Sequence, residues 1–71
     1  MMPLAIIKEG EPHIVQRIGG KDETKRFLKN LGFVVGAEVI VVSTIDGNLI
    51  INVKDSRVAI GKDMANKIMV N

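Results

Sequence analysis

His13 is the only histidine, and the chain has no cysteine, so one side chain is left of the types best suited to hold a transition metal or move a proton near neutral pH. A lone imidazole needs co-ligands. The carboxylates are scattered and none stands at the i,i+3 or i,i+4 helical spacing to histidine that builds di-iron centres. His13 therefore reads as a surface or strand-end histidine, with no cofactor and no intrinsic metal site. Weak or interfacial transition-metal binding, with His13 and a carboxylate bridging two chains, stays open. Four methionines could serve a soft metal, but Met1 and Met2 are terminal, and Met64 and Met69 fall at core-like positions where a thioether fills gaps. Gly19-Gly20-Lys21 precedes a helix without the P-loop spacing, and Asp22 and Glu23 would repel an anion there. Ser56 has no base beside it in sequence. With no nucleophile and base to pair, the chain is expected not to be an enzyme.

What remains is surface. Lys21, Lys25, Arg26 and Lys29 belong to one helix or its approach. They read either as its solvated side or as a face for nucleic acid or an acidic protein partner. Phe33-Val34-Val35 follows the end of that helix, and three consecutive apolar residues in extended chain cannot all point inward. Val34 or Val35 is therefore expected at the surface, beside the cationic helix. Arg57 opens a later strand, where it would anchor a loop carboxylate or a partner.

These residues need a scaffold, and the periodicity supplies one. Pro3-Leu4-Ala5 reads as a short lead-in and Lys8 to Glu11 as a polar turn. His13 to Ile18 is a first strand, with Ile14 and Ile18 on one face. Asp22 to Leu31 is the one full helix, capped by Asp22 or Thr24, with Phe27, Leu28 and Leu31 as its buried stripe. Gly32 suits the left-handed position that stops a helix, placing Phe33 against Leu28. Ala37 to Ile45 and Asn48 to Lys54 flank Asp46-Gly47, a pair favoured in tight hairpins. The first of these is apolar on both faces, as for a strand covered on one side by the helix. In the second, Leu49, Ile51 and Val53 alternate with Ile50, Asn52 and Lys54. Arg57 to Ile60 is a fourth strand, 62–66 a helical turn carrying Ala65 inward, and Lys67 to Val70 a fifth strand. The class is mainly β: a small closed barrel of about five strands with one inserted helix over 22–31.

Composition agrees. The 71 residues make one domain, 1–71, and 46% of them are apolar. A chain this short has a thin margin between burial and chain entropy, which favours a homo-oligomer or a larger partner. Ten basic and eight acidic side chains leave a net charge of +2, too little for a strong phosphate field. Two phenylalanines and no tryptophan or tyrosine leave few stacking platforms, so nucleic acid is not an expected partner. No apolar run reaches the roughly 20 residues of a membrane span, and no signal peptide precedes the first strand. No direct membrane insertion is expected, and the default compartment is cytoplasmic.

Taken in order, Pro3-Leu4-Ala5, Gly10-Glu11, Leu31-Gly32-Phe33 with Gly36, and Ser56-Arg57-Val58-Ala59-Ile60 with Ala65 and Ile68 resemble the FeoA family over nearly the whole chain. The resemblance implies an SH3-like barrel and a small cytosolic accessory protein of ferrous iron uptake. It would act by docking to and modulating a FeoB-type GTP-binding membrane transporter. By family position Leu28, Leu31, Gly32, Phe33, Gly36, Ser56 and Ala59 carry the structural motif. Docking is expected on Lys25, Arg26 and Lys29, with Val34 or Val35 and Arg57 alongside. The alternative is a peptide- or repressor-binding SH3-like module that uses a barrel edge strand.

Overall fold

The computed structural model describes residues 1–71. Strands β1 (Met2–Pro3), β2 (Pro12–Ile18), β3 (Glu38–Ile45), β4 (Asn48–Val53), β5 (Ser56–Gly61) and β6 (Ile68–Val70) alternate with helices α1 (Asp22–Leu31) and α2 (Lys62–Ala65). All six strands form one antiparallel sheet in the order β1-β6-β2-β3-β4-β5. The sheet curls around a single core of 13 apolar residues, among them Leu4, Val15, Leu28, Phe33, Ile51 and Ile68. Each such side chain, moved out of water, contributes roughly 1.5–3 kcal/mol. β1 and β5 are the two ends of the order and do not bond to each other. The 3-10 turn Leu4–Ile6 and α2 pack together between them, so the barrel is completed by side chains rather than by a hydrogen-bonded ladder.

The count of six strands, rather than about five, comes from the lead-in. Met2 and Pro3 pair with Val70 and Met69, and the 3-10 turn that follows buries Leu4 completely. A two-residue strand has no periodicity to read; it exists because β6 offers it a partner.

β2 links the two halves of the sheet. Its first residues pair with β3 and its later ones with β6, and a bulge at Gln16 separates them. Because side chains alternate with period two, the bulge resets the faces. Val15 is the buried residue and Ile14 faces outward beside Glu38, so Ile14 and Ile18 do not share the inner face as their spacing implies.

The expected hairpin is present: Asp46 and Gly47 have φ of 49° and 80°, and Ile45 and Asn48 close the loop. On β4, Leu49, Ile51 and Val53 are buried as the alternation requires. A second two-residue loop, Lys54-Asp55, joins β4 to β5 with φ of 48° and 63°, although neither residue is glycine. No helix is long and apolar enough to cross a membrane.

α1 differs from expectation in three ways. Lys21 rather than Asp22 or Thr24 is the N-cap, without a side-chain cap bond, and its carbonyl accepts from Lys25 N–H at 2.9 Å. Asp22 and Glu23 therefore serve the helix through the positive end of its dipole. Phe27 is 47% exposed, while Leu28 is fully buried and Leu31 half-buried. Finally, α1 does not lie across β3; it meets the barrel through Leu28 and its C-terminal turn.

Candidate docking surface

The end of α1 fixes what is presented to solvent. Gly32 has φ of 110°; its N–H donates to the Lys29 carbonyl at 2.9 Å, and Phe33 N–H donates to the Leu28 carbonyl at 3.0 Å. This pair of bonds is the Schellman stop that Leu31-Gly32-Phe33 implies, and it drives Phe33 into the core. Directly after it, Ala37 N–H donates to the Val34 carbonyl at 3.0 Å, closing a β-turn with Gly36 at φ 93° in its third position. Positive φ at that position is the type II signature and favours glycine. Val35 therefore occupies the outer corner and is 69% exposed, whereas Val34 is half-buried.

Lys25, Arg26 and Lys29 are all exposed, and none has a carboxylate within 4 Å; the sole close acid–base pair in the chain is Glu11 with His13, at 3.6 Å. At 100° per residue Lys25 and Lys29 lie one turn apart on one flank, Phe27 lies on the other, and Arg26 lies between. The result is an unpaired cationic strip bordered by an exposed aromatic ring, with Val35 just beyond the helix end. Phe27 lies outside the buried stripe in which its spacing places it. It adjoins Leu28 in an apolar stripe, and only the shallow seating of α1 leaves it outside.

Arg57 is on the opposite side of the β4–β5 hairpin from the core. Its Nε donates to Asn52 Oδ1 at 3.1 Å, so a neighbouring strand rather than a loop carboxylate holds it. Asn52, Ile40, Glu38, Lys54, Asp55 and Arg57 line a shallow groove on the outer face of β3, β4 and β5. Ser56 is exposed at the first position of β5. Ala59, expected as a structural residue, is exposed too, because it pairs with Ile50 on the outer face.

His13 faces inward at the end of β2, with 14% of its side chain exposed. Its Nδ1 lies 2.8 Å from the Asn71 main-chain oxygen, an acceptor, so Nδ1 carries the proton and donates. Asn71 completes the clamp: its Oδ1 accepts from Ile14 N–H at 2.9 Å and its own N–H donates to the Ile14 carbonyl at 3.1 Å. Nε2 is buried without a hydrogen-bond partner, and the Glu11 carboxylate lies 3.6 Å from it. No group of three or more His, Cys, Asp or Glu side chains stands together as a metal-ligating cluster.

A curled antiparallel sheet with a short helix before its last strand, a light helical insertion and a Gly-stopped motif at the insertion's end define a small SH3-like barrel. Solved relatives carry the same architecture. The structure superposes with a TM-score of 0.91 on a crystal structure of an iron uptake regulatory protein, FeoA, 34% identical, over 99% of this chain and 93% of that one. It superposes with a TM-score of 0.86 on FeoA of Stenotrophomonas maltophilia, crystallised with zinc and described as a prokaryotic SH3 domain protein. That protein is 26% identical, with 100% of this chain and 91% of the other covered. The FeoA domain model matches residues 2–71. The chain is also 40% identical over 70 residues to a protein assigned as Fe(2+) transport protein A in Methanocaldococcus jannaschii, covering 99% of this chain and 85% of the relative. The chain belongs to the FeoA family, that of ferrous iron transport protein A.

Proposed function

We propose that this protein is a cytosolic accessory factor of ferrous iron uptake. It docks on the cytosolic side of a FeoB-type GTP-binding transporter and modulates it, and carries out no chemistry of its own. Family membership over essentially the full chain supports the iron-transport setting. The observation that carries the docking role is the strip on α1. Lys25, Arg26 and Lys29 are exposed with no internal carboxylate partner, exposed Phe27 lies beyond Arg26 on the other flank of the helix, and exposed Val35 follows the helix end. Cations steer an acidic partner into encounter, while a buried aromatic supplies more of the affinity.

The test is titration of the protein into a purified FeoB-type transporter at physiological salt, with and without a GTP analogue. Saturable binding that weakens on charge reversal at Lys25 and Lys29 is the expected result. Absence of binding in every nucleotide state, with folded protein, would overturn the docking role.

A further inference from the structure

The two ends of the sheet are not equally protected. β1 is two residues long and contains Pro3, which has no N–H to offer, so it cannot template another strand. β5 runs for six residues without proline or bulge. The Lys54-Asp55 loop makes Val53 and Ser56 the hydrogen-bonded closing pair of a two-residue hairpin, and the bonding then alternates along the ladder. Ile51 with Val58 bonds inward; Asn52 with Arg57 and Ile50 with Ala59 are the non-bonded pairs. The N–H and C=O of Arg57 and Ala59 therefore point away from β4. β5 has no other neighbour, and neither residue makes a main-chain bond outside that ladder. Both residues are exposed. α2 packs against β5 after Gly61, which leaves the Ser56–Ala59 end open.

A second observation selects what would pair there. Asn52 Oδ1 holds Arg57 by Nε, on the same outer face as the groove. No carboxylate lies within 4 Å, so both terminal guanidinium nitrogens lack an anionic partner. Cross-strand neighbours on one face interact directly, and opposite charges there are favourable. Glu38 and Asp55 line the same groove, so it suits a single carboxylate at Arg57 and disfavours a polyanion.

We propose that the free edge of β5 is a strand-addition site for an extended protein segment whose acidic side chain sits opposite Arg57. Main-chain bonds to Arg57 and Ala59 give affinity, and the Arg57 fork fixes the register. Occupancy of the edge is read at the Arg57 and Ala59 amides of β5, whether or not a transporter binds.

The probe is an acetylated and amidated six-residue peptide of alternating threonine and valine with one central glutamate, titrated into isotope-labelled protein and followed by amide NMR. Saturable shifts centred on Arg57 and Ala59, with slowed exchange of those two amides, are expected. Lysine in place of the glutamate should weaken binding about fivefold, the scale of a solvent-exposed ion pair. Ala59→Pro deletes an outward N–H that the β4–β5 ladder does not use, a place where edge strands accept proline, so it should keep the dispersed spectrum and abolish binding. Arg57→Glu should reverse the preference toward the lysine peptide, an independent reading should the proline variant unfold. Unchanged binding by both variants, or shifts confined to α1, would overturn the site. Protection of the two amides that rises with protein concentration and without peptide would show a second copy of this chain on the edge, and would overturn the peptide assignment.

Discussion

The Phe33 N–H donates to the Leu28 carbonyl at 3.0 Å, and both side chains are buried in the same core. One bond thus couples the stop of α1 to its anchoring: the turn that ends the helix inserts the next residue into the barrel. Gly32 makes that turn with φ of 110°, and a Cβ built on it would lie 3.4 Å from Val53 Cγ2 and 3.6 Å from Lys54 Cβ. Gly32→Ala should therefore cost at least about 1–2 kcal/mol, the strain of a left-handed L-residue, read as a lower urea midpoint.

The Lys54-Asp55 loop holds two non-glycine residues at positive φ, where Asp46-Gly47 holds one. Asp55→Gly should relieve strain at the second loop position and raise stability by about 0.5–1 kcal/mol, net of the entropy glycine adds to the unfolded chain. Thermal unfolding of the two proteins side by side checks this. A lower melting temperature would show that Asp55 has a stabilising contact in the groove.

Neighbouring residues on α1 should behave in opposite ways. Leu28→Ala removes a fully buried side chain and should cost about 2–5 kcal/mol. Phe27→Ala trims a side chain already 47% exposed and should change stability by less than about 1 kcal/mol, while weakening transporter binding. Denaturation and binding titrations on both variants separate the two roles.

The double reversal Lys25→Glu, Lys29→Glu changes the strip's charge without touching the core, since both residues are exposed. Its main effect should fall on the association rate, with a smaller dependence on salt than the unmodified protein shows. Stopped-flow binding at two ionic strengths measures this; identical rates would place the contact elsewhere.

Asn71→Ala removes the oxygen that accepts the Ile14 N–H at 2.9 Å, while leaving the His13 bond to the main chain in place. Exchange of the Ile14 amide should accelerate, with stability falling by about 1 kcal/mol. His13→Ala should loosen the same end without exposing the Leu28–Phe33 region, and amide exchange mapped along the chain distinguishes them.

Local chemistry determined much of this protein from the sequence alone. The glycine at 32 ends α1 because only a residue free at positive φ continues the chain there, and Asp46-Gly47 turns β3 into β4 for the related reason that both accept it. The alternation on β4 named its buried face, and the short apolar signature after 62 placed Ala65 in the core. The candidate surface was legible in part: Lys25, Arg26, Lys29 and Val35 are exposed as their positions imply.

Tertiary structure decided what depends on a neighbour distant in sequence. Phe27 and Leu28 are equally apolar, and the seating of α1 at its C-terminal turn buries only the second. A bulge between Val15 and Arg17, set by the pairing of β2 with two strands, put Ile18 against the core while Ile14 faces outward beside Glu38. β1 exists through β6, and Asn71 became a clamp through His13 and Ile14, contacts across more than fifty residues. The open edge of β5 follows from strand order, which no local pattern encodes, because hydrogen-bond partners in a sheet are chosen by chain topology rather than by the residues of one strand.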